Sequence, residues 1–135
     1  MTKIDGASSV TELSGGRIVS IVDDDESVRL GTASLVRSLG WRTRTFASAA
    51  EFLESEYIGE TLCLISDIRM PGMSGFEMHD RLQEIGDAPP TIFTTAFPTD
   101  ELRAKAVAKR VLALLEKPFE PTAIEHWLNL ATDRS

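Results

Sequence analysis

Carboxylate, hydroxyl and ammonium side chains recur in this chain just after short apolar runs, and its chemistry is concentrated at those junctions. Asp23-Asp24-Asp25-Glu26 follows Ile18-Val19-Ser20-Ile21-Val22, and Ser66-Asp67 follows Leu62-Cys63-Leu64-Ile65. Thr94-Thr95-Ala96 closes a run that begins at Thr91, and Glu116-Lys117-Pro118-Phe119 closes one that begins at Val111. Carboxylates forced together repel, so they either take up a proton or hold a cation. An all-oxygen site with few carboxylates and room for water suits a hard ion such as Mg²⁺. A carboxylate beside such an ion, with a Lys and a hydroxyl aimed at the same space, is equipped for phosphoryl transfer. The cations offset charge on the transferring oxygens, and the carboxylate can act as nucleophile to give an aspartyl phosphate.

Such convergence needs a scaffold that brings the ends of several strands to one edge. Ile18–Val22, Leu62–Ile65, Thr91–Thr94 and Val111–Leu115 are too apolar for half-exposed strands and predict burial on both faces. From Trp41 to Phe46, Trp41, Thr43 and Thr45 alternate with Arg42 and Arg44, which predicts an edge strand with one wet side. Helical segments fill the gaps. Val28, Leu35, Val36 and Leu39 share a face before Gly40, and Ser48-Ala49-Ala50-Glu51 has capping-box spacing before Phe52, Leu53 and Tyr57. Met78, Leu82 and Ile85 stripe the segment after Gly75, Thr99 or Asp100 caps an Ala-rich helix through Lys109, and Pro121 opens the last helix. The order βαβαβαβαβα predicts an α/β domain with a five-stranded parallel sheet and helices on both faces. Ligands bind beyond the carboxyl ends of such strands, which is where the acids, Thr95 and Lys117 fall.

Composition narrows the function classes. A chain of 135 residues, 42% of them hydrophobic, has room for one domain with a proper core. Residues 1–16 are poor in large apolar side chains and are expected to form a flexible leader, leaving 17–135 for the domain. Asp and Glu outnumber Lys and Arg by 21 to 14, and the net charge of −7 argues against nucleic acid as a direct partner. One cysteine, Cys63, excludes an internal disulfide and suits a reducing compartment, so the expected location is cytoplasmic. No apolar run approaches a membrane span, and no signal peptide is visible.

At this level of detail the chain resembles the receiver domain of bacterial two-component response regulators. The matching residues are Asp23-Asp24 after an apolar strand, Asp67-Ile68-Arg69-Met70-Pro71-Gly72-Met73-Ser74-Gly75, Thr95, and Lys117-Pro118-Phe119, in family order and at family separations over roughly 17–132. The Asp67 and Lys117 segments look most like the FixJ group. The resemblance implies a doubly wound, flavodoxin-like sheet with strand order 2-1-3-4-5. It implies Asp67 as phosphoacceptor, with Mg²⁺ (or Mn²⁺) held by Asp23, Asp24, Asp67 and the backbone carbonyl of Arg69. Thr95, Ala96 and Lys117 would contact the phosphoryl group, and Lys117-Pro118 would be cis. The implied partners are a histidine kinase or phosphotransfer protein upstream and an unidentified protein downstream, with a phosphorylation-dependent homodimer as one form of output. The activity would be confined to the domain's own phosphorylation and dephosphorylation. FixJ-like receivers often precede a DNA-binding domain; the residues after Lys117 suffice here for one helix, so the chain reads as a receiver alone.

Two positions depart from the family. Leu114 stands at the switch position where receivers carry Tyr or Phe, and Arg110-Val111 replaces a Gly-Ala-like pair, which predicts a differently closed fourth helix. Ordinary roles account for other polar residues: Asp25 and Glu26 as a solvated helix start, Thr94 as a strand residue, His79 and His126 as helix residues without a partner pattern, Cys63 and Trp127 as core. Two other functions remain open. An aspartate-nucleophile phosphohydrolase would use the same Asp, Thr, Lys and Mg²⁺, but haloacid dehalogenase-like enzymes carry a second Asp where this chain has Arg69. A degenerate receiver would act only as a docking surface.

Overall fold

The computed structural model describes residues 18–133, so the expected leader lies outside them. The strands are β1 (Ile18–Val22), β2 (Thr43–Phe46), β3 (Thr61–Asp67), β4 (Thr91–Thr95) and β5 (Ala113–Glu116). The helices are α1 (Glu26–Ser38), α2 (Ala49–Leu53), α3 (Gly75–Ile85), α4 (Asp100–Ala108) and α5 (Pro121–Asp133). All strand pairs are parallel, in the order β2-β1-β3-β4-β5. This is the doubly wound flavodoxin-like arrangement.

Alternation along the central strands feeds two layers at once. Val19, Ile21 and Ile65 face a cluster with Val36 of α1 and Leu128 of α5, while Val22 and Leu64 face Phe52 of α2 and Met78 and Leu82 of α3. Each of these side chains is almost wholly buried. Burying one stabilises by roughly 1.5–3 kcal/mol, which is why β1, β3 and β4 tolerate no half-polar pattern. Cys63 is also core, and burial pushes its thiol pKa to about 12.

Several boundaries differ from the sequence expectation. β3 runs two residues past Ile65, so Ser66 and Asp67 are strand residues held by β4 through the Asp67–Thr94 register. β2 starts at Thr43 rather than Trp41, and Thr45 is exposed rather than inward. α2 ends at Leu53, leaving Tyr57 outside it before a 3₁₀ turn at Ile58–Glu60. Ile85, placed by periodicity on the buried stripe, is 60% exposed because it lies in the last turn of α3, beyond the layer that Leu82 closes. Thr99, not Asp100, caps α4, accepting from the Leu102 N–H.

The end of α4 also corrects an expectation. Arg110 adopts the left-handed conformation, φ +57°. Its N–H donates to Val107 O and that of Val111 to Ala106 O, the Schellman closure that Gly40 and Gly86 give α1 and α3. The helix is therefore closed in the usual way, with a residue for which that geometry is costly. The same closure draws Val111 out of the sheet and delays β5 to Ala113. Arg110→Gly should raise the unfolding free energy by about 0.5–1 kcal/mol, the left-handed cost less the extra freedom of glycine in the unfolded chain. A higher urea midpoint at unchanged slope is the expected reading.

Candidate functional site

The fold delivers the ends of β1, β3, β4 and β5 to one edge. Asp23 leaves β1 and is 4% exposed. Its N–H donates to Phe46 O, and its Oδ1 accepts the Asp25 N–H at 2.9 Å. Asp24 is exposed. Asp67 ends β3 at 9% exposure, with the Oγ of Ser66 donating to its carbonyl. Carboxylate oxygens of Asp23, Asp24 and Asp67 lie within 4.8 Å of one another.

Lys117 comes from the far side of the sheet. Its N–H is held by Thr95 O, continuing the β4–β5 register, and its peptide bond to Pro118 is cis. The ammonium lies 3.0 Å from Asp23 Oδ2 and 3.4 Å from Asp67 Oδ2. Burial alone would lower the Lys117 pKa, but the Asp23 hydrogen bond and the charges of Asp67 and Asp23 outweigh it, so the pKa is raised and the group is cationic at neutral pH. Asp67 is also raised. Burial is the first cause and the charges of Asp23 and Asp24 add to it, against the opposing pull of Lys117. Burial is what keeps the Asp67 pKa raised, because the pull of Lys117 offsets the repulsion from Asp23 and Asp24. Three oxygen donors this close together fit a hard divalent ion with water completing its shell.

The remaining predicted positions flank this centre. Thr95 is buried at the end of β4, and its Oγ1 accepts the Phe97 N–H at 3.2 Å. Ala96 and Arg69 are exposed on the loops after β4 and β3. Leu114 faces Phe93 across the β4–β5 pair and packs against the cluster of Ile68, Phe76 and Phe93. Thr94 is buried in the sheet, as a structural residue should be.

Arg29 was not among the expected site residues. Its Nη1 donates to Asp23 O at 2.8 Å, fastening the first turn of α1 to the residue that binds Lys117. A lone Arg in an otherwise ordinary helical turn gives no periodic or spacing signal. Asp25 contributes through its backbone amide to Asp23 while its side chain caps α1, so its helix-start role and its service to the site coincide.

A family model for the response regulator receiver domain matches residues 19–129. The chain belongs to that family. Among curated relatives it is 38% identical to "Response regulator protein TmoT" of Ectopseudomonas mendocina over 76% of this chain and 46% of that one. It is 33% identical to "Nodulation protein W" of Bradyrhizobium diazoefficiens over 96% of this chain and 57% of that one. The receiver thus spans about half the length of the curated relatives it matches. Among solved structures, FixJ-N is similar with a TM-score of 0.77 at 30% identity, covering 87% of this chain and 94% of that one. The response regulator StyR is similar with a TM-score of 0.75 at 39% identity, covering 87% and 61%. The receiver assignment places the chain in two-component signalling, where response regulators receive phosphoryl groups from histidine kinases. Among the described residues no helix is long and apolar enough to cross a membrane.

Proposed function

We propose that this receiver accepts a phosphoryl group on Asp67 from a histidine kinase or phosphotransfer protein in the cytoplasm, in a Mg²⁺- or Mn²⁺-dependent reaction, and signals by contact with another protein. The reading rests above all on the Lys117 ammonium held between Asp23 and Asp67, with a carboxylate oxygen of Asp24 within 4.8 Å of theirs. Asp23, Asp24, Asp67 and the Arg69 carbonyl would hold the metal, which supplies charge neutralisation for the phosphoryl oxygens.

The chain's own groups do the rest. A carboxylate oxygen of Asp67 attacks phosphorus as the bond to the donor breaks, and the electron pair leaves with the donor imidazole or acetate. Lys117 loses one carboxylate partner as Asp67 becomes an acyl phosphate, and its ammonium can follow the new negative oxygens. Thr95 offers its hydroxyl proton to the same group, and Ala96 leaves room for it. The Thr95 oxygen can keep accepting the Phe97 N–H while its proton goes to the phosphoryl group, so a shift of Thr95 would draw the β4–α4 loop toward the site. With Leu114 at the switch position, no aromatic ring follows that movement from β5, so the loop itself carries the change.

The protein incubated with acetyl phosphate and Mg²⁺ should acquire one phosphoryl group that hydroxylamine removes, as expected of an acyl phosphate. Chelation of the metal should reduce the labelling rate by at least tenfold. Labelling at full rate in chelator would overturn the metal-dependent reading, and turnover of a small phosphate ester would favour a hydrolase instead.

A further inference from the structure

The end of the sheet opposite Asp67 carries a concavity of its own. A cleft of about 630 Å³ lies where β4 and β5 begin, within the size range of small-molecule sites. Its walls are Pro89 and Pro90 from the loop before β4, Leu112 from the turn before β5, and Trp127 and Leu130 from α5. Leu130 is 37% exposed, and Trp127 is only partly buried although its indole packs on the core. These are flat, apolar surfaces on which a ring can stack.

Three features make the cleft more than an apolar dent. None of its described lining residues is acidic, in a chain where acids outnumber bases by 21 to 14. The one charge in the lining is Arg110, which has no ion-pair partner among the described residues. Arg110 is also the residue kept in the left-handed closure of α4, where its backbone is strained and glycine would be easier. Finally His79 lines the cleft at 4% exposure, and its Nδ1 has no hydrogen-bond partner among the described residues. Burial first, and then the Lys109 charge, lower the His79 pKa against the weaker effect of Asp80, so the imidazole is neutral at pH 7 and adds hydrogen-bonding capacity rather than charge.

We propose that this cleft binds a small aromatic carboxylate, its ring between Trp127 and the Pro89-Pro90 wall and its carboxylate on the Arg110 guanidinium. A planar guanidinium engages a carboxylate through two parallel N–H donors, which a neutral amide of the same shape cannot match. The ligand lies across the sheet from Asp67 and uses none of the phosphoryl-transfer residues.

Phenylacetate is the test ligand, with phenylacetamide as its uncharged counterpart and acetate as the ring-free one. In the full chain carrying Trp41→Phe, Trp127 is the sole indole, and its emission should change saturably with phenylacetate. The amide and acetate should bind at least tenfold more weakly. Arg110→Gly, which relieves backbone strain and so keeps the fold, should reduce phenylacetate affinity about tenfold and leave the amide unchanged. The indole N–H resonance of Trp127 in the otherwise unaltered chain gives the same reading independently of the Trp41 substitution. No saturable response at either probe, or equal affinity for acid and amide, would overturn the proposal.

Discussion

Asp67→Asn should be inert to acetyl phosphate and to any phosphohistidine donor, with Mg²⁺ present and the protein fully folded. An amide has no carboxylate oxygen to attack phosphorus, and neither Asp23 nor Asp24 replaces it: the first is engaged by Lys117 and the Asp25 amide, and the second is the exposed member of the trio. The substitution is nearly isosteric, so the β3 register and the Ser66 contact to the Asp67 carbonyl survive. Stability should rise. Asp67 has its pKa raised in the folded state, so its proton is held more tightly there than in the unfolded chain. Its contribution is therefore complete below the ordinary carboxylate pKa and is lost as pH rises through the folded value. The amide side chain of the variant does not titrate and has no such loss, so the stability difference between variant and wild type should widen as pH climbs out of the carboxylate range to neutrality. Loss of labelling in Mg²⁺ together with a raised melting temperature at pH 7 in metal-free buffer is the expected pair. Undiminished labelling would remove Asp67 from the role of phosphoacceptor.

Much of this site can be read from residue order, for a physical reason. A doubly wound sheet brings every strand's carboxyl end to one edge, so a polar residue just after an apolar run is placed by topology. Asp23, Asp67 and Lys117 follow that rule and meet although they are far apart in the chain, and Thr95 ends β4 on the same edge. Interactions that depend on one local choice escape it. Arg29 reaches the Asp23 carbonyl through a side-chain conformation, which no pattern of residue types encodes. The limits of β3 and β5 are set by Thr94 in a neighbouring strand and by the closure of α4, neither of which lies within the segment being read. Arg110 shows the converse error. A costly residue type suggests a different geometry, but the two hydrogen bonds of the closure hold Arg110 in the ordinary one.

Gly75→Ala should be the most damaging of the single-methyl additions, although alanine is the better helix former. Gly75 opens α3, and its N–H donates to Ile68 O at 2.8 Å. A Cβ there would overlap Asp67 O and stand 3.0 Å from Phe93 Cε1 and 3.2 Å from Ile68 Cα. Two of the three are backbone atoms, and Phe93 is completely buried in edge-to-face contact with Phe76, so none can turn aside as an exposed side chain would. Relief requires moving the start of α3 away from β3, which breaks the Ile68 bond and opens the Ile68–Phe76–Phe93 cluster. The expected cost is roughly 3 kcal/mol, at the upper end of overpacking effects and a large share of a small domain's stability. Gly31→Ala is the control: it lies inside α1 with nothing within 4 Å of the new methyl and should gain about 0.5–1 kcal/mol. Urea unfolding of the pair reads both signs. The atom struck in the first case is the carbonyl of the proposed phosphoacceptor, so the folded fraction of Gly75→Ala should also take up phosphoryl groups more slowly from acetyl phosphate. A Gly75→Ala protein as stable as wild type would mean that α3 can slide on β3, and that Asp67 is not held as rigidly as its backbone contacts indicate.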